Sequence, residues 1–236
     1  MKGILLTRPY SDALKSRNIL LNFGFNVYIE SVLQIEYLVP HLQDIELFDL
    51  IISTSKHSII SLSKNTTIRS NTIITVGNST MNVATSLGFD QVLSVNGNTQ
   101  DVISYIQSQS RNLKILYIRG EHITCDIKAI LNTMGFNVHE VVMYKTIANK
   151  LLSKECYNLI VNRDISEILF YSSRSAEIFI QLVQESNIAH HLKNMNAYVL
   201  SNKIANVAKV INWRAIFVTD IPTESSLIQL LIMQRK

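Results

Sequence analysis

The sequence has no long hydrophobic run, although 47% of its 236 residues are hydrophobic. None of the apolar segments approaches the roughly 20 residues that are needed to cross a bilayer. The first apolar segment ends at Leu6 and the sequence Thr7-Arg8-Pro9 follows, so the apolar core of a secretory signal peptide is missing. We therefore expect a soluble, cytoplasmic protein without a membrane partner.

Cysteine is scarce as well. The two cysteines, Cys125 and Cys156, lie far apart and form neither a CxxC pair nor a metal-ligand pattern. Two reduced thiols in a reducing compartment are the simpler interpretation, and a disulfide is the alternative. The histidines add no converging set of ligands, so we expect no metal site.

Charge is not concentrated in any one segment. The formal net charge of +4 favours an anionic ligand. Lys and Arg form no dense block and are not interleaved with stacking aromatic residues, so we expect no nucleic-acid partner. The sequence also lacks a Walker loop and the patterns GxGxxG and HExxH.

What the sequence does contain is an internal repeat. Residues 4–9 align with residues 115–120, and at the same offset Gly24 aligns with Gly135. Each copy predicts a buried strand, a turn, a helix that ends before a glycine, and a second strand.

Two further repeats follow at slightly larger offsets. Residues 49–59 match the stretch that begins at Glu167, and both combine an acidic start, an apolar strand and a Ser/Thr cluster that opens a helix. Residues 74–84 match residues 198–208. Three repeats in the same order predict one α/β unit used twice, with parallel sheets covered by helices on both faces.

Ligands of such sheets bind beyond the carboxyl ends of the strands, where loops enter helices. The helix N-termini there offer N–H groups that suit carboxylates or phosphates. The alternative is that Ser, Thr and Asn in these loops only cap their helices. The candidate loops are Thr7-Arg8-Pro9, residues 53–58, residues 77–80, Arg119-Gly120, residues 172–175 and residues 201–203.

Together these segments resemble the uroporphyrinogen-III synthase family, the cyclising enzymes of tetrapyrrole biosynthesis. The resemblance depends on the order and spacing of the segments along nearly the whole chain, because none is specific alone. The segments are residues 4–9 (ILLTRP), 49–59, 76–80 (VGNST), 117–120 (YIRG), 142–145 (VMYK) and 172–179 (SSRSAEIF).

The resemblance implies an α/β fold of two similar flavodoxin-like lobes with parallel sheets, joined by a two-stranded ribbon. The first lobe is expected to be discontinuous and to comprise residues 1–34 and 147–236, while the second comprises residues 35–146. The ribbon is expected to pair residues 32–39 with residues 142–149. We expect a monomer.

The resemblance also implies a reaction without a cofactor. Linear hydroxymethylbilane loses its terminal hydroxyl to give an azafulvene, which ring D attacks through a spiro intermediate. Reclosure then gives uroporphyrinogen III with ring D inverted. Such a polycarboxylate needs a basic cleft rich in N–H groups, and holding it in the folded geometry supplies most of the catalysis.

Tyr144 lies at the position of the family's recurring tyrosine, after a strand that we predict to end at Met143. The resemblance implies that its hydroxyl donates a hydrogen bond to the departing hydroxyl of the substrate. The alternative is a half-buried strand tyrosine whose hydroxyl lies in water.

The resemblance implies substrate contacts from the candidate loops. The family often has a threonine at the second counterpart of Thr80, where this chain has Ile204. That departure leaves the backbone N–H groups of the loop and the Lys203 ammonium as contacts there. The implied binding residues are Thr7, Arg8, Ser55, Lys56, Gly77, Asn78, Ser79, Thr80, Arg119, Gly120, Ser173, Arg174, Ser201, Asn202 and Lys203.

Other polar residues receive structural interpretations. His57 is predicted to be a solvated residue of a first helical turn, and a contact with the substrate is the alternative. Asp49 and Glu167 are predicted to start strands away from the cleft. A second functional hypothesis is a two-lobed protein that closes on a small anion and senses it without reaction. The product formed from hydroxymethylbilane distinguishes the two, because the type I isomer forms without an enzyme.

Overall fold

The computed structural model describes residues 2–40, 42, 44–95 and 97–235. Its contacts divide the chain into two compact units. The first unit contains Met1–Gln34 and Ile147–Lys236, and the second unit contains Ile35–Thr146. Within the described ranges, no helix is both long enough and apolar enough to cross a membrane.

Strands and helices alternate along most of the chain. The strands are β1 (Gly3–Leu6), β2 (Val27–Ile29), β3 (Leu33–Tyr37), β4 (Leu50–Ser53), β5 (Thr72–Thr75), β6 (Gln91–Ser94), β7 (Lys114–Gly120), β8 (Asn137–Ala148), β9 (Ile165–Phe170), β10 (Asn196–Val199) and β11 (Ala215–Val218). The α-helices are α1 (Tyr10–Leu21), α2 (Lys56–Asn65), α3 (Asn78–Ser86), α4 (Thr99–Gln107), α5 (Ile127–Thr133), α6 (Lys154–Val161), α7 (Ser173–Glu185), α8 (Asn202–Ala208) and α9 (Glu224–Gln234). Short 3₁₀ helices cover Ile45–Leu47 and Ala189–Asn194.

The two sheets share one topology. The first unit has the strand order β11-β10-β9-β1-β2, and the second has β3-β8-β7-β4-β5-β6. Apart from the edge strand β3, the orders agree along the repeat, and the pairings within these common strands are parallel. The order is that of flavodoxin-like folds. The prediction of two similar flavodoxin-like lobes with parallel sheets is confirmed.

Both faces of each sheet are covered, which explains the uninterrupted apolar strands. In β1, Ile4 and Leu6 pack into one hydrophobic cluster and Leu5 packs into another. In β4, Ile51 packs into one hydrophobic cluster, and its neighbours Leu50 and Ile52 pack into another cluster. Because successive strand residues point to opposite faces, an apolar residue is needed at every position.

Strand β8 is longer than its apolar pattern predicts, and its continuation covers residues expected in the ribbon. The predicted strand ended at Met143, whereas β8 continues through Tyr144 to Ala148. The extension follows from β3, which lies beside β8 at the sheet edge. The Leu38 N–H donates to the Met143 carbonyl at 2.9 Å, so β8 has a partner where β7 ends. The chain passes from the first unit to the second within β3 and returns within β8.

The two cysteines are free thiols, as the simpler interpretation predicts. Cys156 is buried on α6, and burial raises the pKa of its thiol above the ordinary value. Since the thiolate is the reactive form, this cysteine is chemically inert at neutral pH.

Candidate active site

The predicted site residues of the second unit share one edge of its sheet. Strands β4, β5 and β7 end next to Ser55, Gly77 and Gly120, and these strands are parallel. Tyr144 pairs with Gly120 in the register of β7 and β8. The carboxyl ends of these strands therefore bring the four residues to the edge where α/β sheets bind ligands.

Tyr144 is half-buried, and its hydroxyl has a protein partner. Its Oη donates to Ser55 Oγ at 3.0 Å. Gly120 leaves room for the phenol, since a Cβ atom on Gly120 would lie 2.6 Å from the Tyr144 Cζ atom. No side chain larger than hydrogen fits at position 120 while the tyrosine keeps this position.

Ser55 is the N-cap of α2. Its Oγ accepts the His57 backbone N–H at 3.2 Å as well as the Tyr144 hydroxyl. Because the cap is fixed by the helix, the acceptor for Tyr144 is fixed too. Lys56, half-buried, begins the first turn of the same helix.

His57 is not solvated, so the prediction for this residue is wrong. Only 7% of its surface is exposed. Its ring centroid lies 5.5 Å from that of Tyr144 and 6.1 Å from that of Tyr37. His57 is buried in part by Tyr37, the last residue of β3, which packs against its ring. The Tyr37 hydroxyl lies 3.1 Å from His57 Nδ1, within hydrogen-bond distance.

The start of α3 offers uncapped N–H groups at the same edge. Gly77 is the N-cap residue and has no side chain to bond them, and nothing lies within 4 Å of a Cβ atom placed on it. Asn78 and Ser79 are exposed. Thr80 is buried, and its N–H donates to the Gly77 carbonyl at 3.0 Å. This helix start suits an anion.

Arg119 is bound within its own unit. Its Nε lies 2.8 Å from Glu140 Oε2, and Nη1 donates to the carbonyls of Gly120 and Glu121. The hydrogen bond from Arg119 lowers the pKa of the Glu140 carboxyl. The pair fixes the guanidinium at the end of β7.

The predicted residues of the first unit also share the carboxyl edge of their sheet. Ser173 and Arg174 are half-buried in the first turn of α7 after β9. Ser201 is the N-cap of α8 after β10, and its Oγ accepts the Ile204 N–H at 3.4 Å. Ile204 is buried, so this loop presents no hydroxyl there. The exposed residues of its first turn are Asn202 and Lys203.

Thr7 and Arg8 at the end of β1 both have partners inside the first unit. Thr7 is fully buried and donates to the Leu169 carbonyl at 3.0 Å. Arg8 Nη1 lies 2.7 Å from Glu224 Oε1, and Nη2 lies 3.7 Å from Asp12. Arg8 therefore joins β1 to the first turn of α9.

Tyr171 completes this cluster. The Arg8 guanidinium lies 4.1 Å from the centroid of its ring, within cation–π range. Burial raises the pKa of Tyr171 to about 12. The phenol is therefore neutral at physiological pH.

The acidic residues away from this edge are structural, as predicted. Asp49 precedes β4 and accepts the Lys114 N–H at 2.8 Å. Glu167 lies inside β9 rather than at its start, and it is buried with Arg235 Nε at 3.6 Å. Among the residues described, no three His, Cys, Asp or Glu side chains come together as metal ligands.

Sequence reasoning missed several residues of these clusters, among them Tyr37, Tyr171 and Glu224. Tyr37 reaches the site from β3, and Glu224 reaches Arg8 from the last helix. Tyr37 lies on β3, a strand outside the common topology, whereas Glu224 begins the helix that follows β11. Glu224 does carry one readable signal, because it follows a Thr223 N-cap at the start of a helix.

The chain is similar to known proteins over most of its length. Its sequence matches the family described as uroporphyrinogen-III synthase HemD over residues 15–229. No curated protein matches it.

Solved structures with the same fold include two enzymes. Uroporphyrinogen-III synthetase from Helicobacter pylori is 17% identical, with a TM-score of 0.69 and 100% of both chains covered. A mutant uroporphyrinogen III synthase from Thermus thermophilus is 11% identical, with a TM-score of 0.58, covering 99% of this chain and 100% of that one. At these identities the structures establish the fold alone.

Proposed function

Because the chain belongs to the uroporphyrinogen-III synthase family, whose members are lyases that cyclise hydroxymethylbilane, we propose that it converts hydroxymethylbilane to uroporphyrinogen III. In this proposal one water is lost, ring D is inverted and no cofactor takes part. The observation that carries the proposal is the hydrogen bond from Tyr144 to Ser55 at the carboxyl edge of the second sheet.

The first chemical step breaks the bond between the hydroxymethyl carbon and its oxygen. The pyrrole nitrogen supplies electron density and loses its proton, and the oxygen gains a proton and leaves as water. The carbon skeleton is then an azafulvene. A hydrogen-bond donor aimed at the departing oxygen lowers the barrier of this step. We assign that donor role to Tyr144.

Tyr144 can take this role by exchanging its acceptor. In the structure its hydroxyl donates to Ser55 Oγ at 3.0 Å. The substrate hydroxyl replaces Ser55 as the acceptor, so one hydrogen bond is exchanged for another at a small net cost. Ser55 stays in place because it caps α2.

The remaining steps depend on the shape in which the substrate is held. Ring D attacks the azafulvene, and the spiro intermediate opens and closes again. The protein contributes mainly by bringing the two ends of the substrate together, which removes an entropic cost from the barrier. Contacts that fix the substrate carboxylates at several points hold the substrate in this folded shape.

The uncapped start of α3 is the best supported of these contacts in the second unit. Asn78 and Ser79 follow a glycine N-cap that makes no side-chain hydrogen bond to the helix start, and both residues are exposed. Lys56, the first residue of α2, adds a positive charge after β4, a strand of the same sheet. In the first unit the corresponding contacts are the starts of α7 and α8, with Arg174 and Lys203.

A charge test follows from the α3 contact. Replacing Ser79 with Asp puts a carboxylate at the helix start, where it repels substrate carboxylates by about 1 kcal/mol, so KM rises about 5-fold. Folding is not impaired, because a negative charge stabilises a helix N-terminus. The matched control is Ser86→Asp at the other end of α3, where KM stays unchanged. Equal KM values for the two variants would contradict the assignment.

The product isomer tests the proposed function directly. Freshly prepared hydroxymethylbilane is given to the purified protein, and the oxidised products are separated by chromatography. We expect the type III isomer in excess over the type I isomer. The enzyme-free reaction is the control and gives type I. Only type I product in the presence of folded protein would overturn the proposal.

A further inference from the structure

A buried histidine in the second unit has no role in the proposed reaction. His57 is 93% buried, with 7% of its surface exposed. Its ring packs against Tyr144 at a centroid distance of 5.5 Å and against Tyr37 at 6.1 Å. The Tyr37 hydroxyl lies 3.1 Å from His57 Nδ1.

The local structure brings these three rings together for a simple reason. The hydrogen bond from Leu38 to Met143 pairs β3 with β8, which places Tyr37 across from Tyr144 on the neighbouring strand. The next pair along the strands agrees with this register, since Glu36 and Lys145 form an ion pair at 2.9 Å. Cross-strand neighbours present their side chains to the same face of the sheet.

His57 is fixed from the helix side as well. Its backbone N–H donates to Ser55 Oγ, the same atom that accepts the Tyr144 hydroxyl. His57 therefore contacts Tyr144, the proposed donor, through its ring. Through its backbone N–H it contacts Ser55, which accepts the hydrogen bond from Tyr144. The ammonium of Lys64, on the same helix, lies 4.1 Å from the centroid of the Tyr37 ring and adds a cation–π contact to the partner of His57.

The physical consequence concerns the position of the Tyr144 hydroxyl. A phenol held only by its own backbone samples more than one rotamer, and a donor displaced by a fraction of an ångström stabilises the departing oxygen less. The His57 ring restricts one side of the Tyr144 phenol. The Tyr37 hydrogen bond in turn fixes the orientation of the His57 ring.

We propose that His57, oriented by Tyr37, is a positioning residue that holds Tyr144 in its reactive orientation. The proposal rests on the proposed function for its kinetic consequences. His57 acts through Tyr144 and does not touch the substrate. Tyr37 acts one contact further away, through the hydrogen bond to His57.

Two substitutions remove the same hydrogen bond from opposite sides. His57→Phe keeps an aromatic ring against Tyr144 but loses Nδ1, and Tyr37→Phe loses the hydroxyl. We expect each to lower kcat about 3- to 10-fold with KM changed less than about 2-fold. The double variant is expected to be no slower than the slower single variant, because both remove one interaction. The matched control is Tyr105→Phe on α4, which keeps the kcat of the wild type.

A double-mutant cycle with Tyr144→Phe separates positioning from a general structural effect. If His57 acts through the Tyr144 hydroxyl, His57→Phe costs nothing further once that hydroxyl is gone. An equal fold-loss in both backgrounds would overturn the proposal. So would an unchanged kcat in both His57→Phe and Tyr37→Phe. If His57→Phe fails to fold, Tyr37→Phe alone in the same cycle decides.

A spectroscopic readout keeps this test independent of the proposed function. The protein is labelled with ring-¹³C tyrosine, and the Tyr144 signal is assigned by its loss in Tyr144→Phe. We expect that signal to shift or broaden in both His57→Phe and Tyr37→Phe, and to stay unchanged in Tyr105→Phe. An unchanged signal in Tyr37→Phe rejects the positioning pair. Failure of the wild type to form type III product rejects the proposed function instead.

Discussion

Replacing Tyr144 with phenylalanine is expected to lower kcat about 10- to 100-fold, toward the low end of acid–base contributions, because this leaving group departs readily unaided. The substitution removes the hydroxyl that donates to Ser55 and keeps the ring that packs against His57. The measurement is the initial rate of type III formation at saturating hydroxymethylbilane. KM is expected to change little, because the hydroxyl contributes to the transition state and not to carboxylate binding.

The control for this substitution is the stability of the variant. Loss of one half-buried hydrogen bond costs about 1 kcal/mol of unfolding free energy, which leaves the protein folded at 25 °C. Tyr157→Phe, at a residue of α6 that is 41% exposed, is the matched surface variant and keeps full activity. A Tyr144→Phe enzyme with the kcat of the wild type would remove the donor role.

Replacing Gly120 with alanine is expected to lower kcat by a similar factor, about 10- to 100-fold. The added Cβ atom would lie 2.6 Å from Cζ and 2.8 Å from Oη of Tyr144, so the end of the tyrosine has to move. The hydroxyl then leaves Ser55 and no longer points to the departing oxygen. The same steady-state assay measures this loss, and thermal unfolding checks that the fold is retained.

The Gly120→Ala/Tyr144→Phe double variant identifies the cause of that loss. If Gly120→Ala acts by displacing the hydroxyl, the double variant is no slower than Tyr144→Phe alone. A loss equal to the product of the two single losses would instead mean that the loop after β7 contacts the substrate in its own right.

Much of the fold was predictable because the chain repeats. Two copies of one strand and helix order imply two sheets of the same topology, and apolar residues at every strand position imply helices on both faces. The end of β8 is not predictable from the apolar pattern alone, which ends at Met143, and only the resemblance implies its continuation, through the ribbon of residues 32–39 and 142–149. It depends on β3, a strand outside the common topology that extends the pairing beyond Met143.

The sequence predicts which loops form the candidate site, but it does not predict which ion pairs the charged residues of those loops form. The sequence indicates which residues follow the strands, and Tyr144, Ser55 and Gly120 do lie together. It does not indicate that Arg119 is held by Glu140 or that Arg8 is held by Glu224, because ion pairs form between segments distant in the chain. The pattern around His57 is that of an ordinary exposed first turn, and the rings of Tyr37 and Tyr144, which pack against it, come from two strands distant in the sequence.

The repeat also shows which residue of the first unit aligns with Tyr144. The offset that aligns Gly24 with Gly135 also aligns Leu33 with Tyr144. Leu33 belongs to the hydrophobic core, with 5% of its surface exposed. In the sequence alignment the counterpart of the proposed donor is therefore a core leucine, and Pro9 aligns with Gly120. The two units share one topology, but the proposed donor role has no counterpart at the aligned position of the first unit.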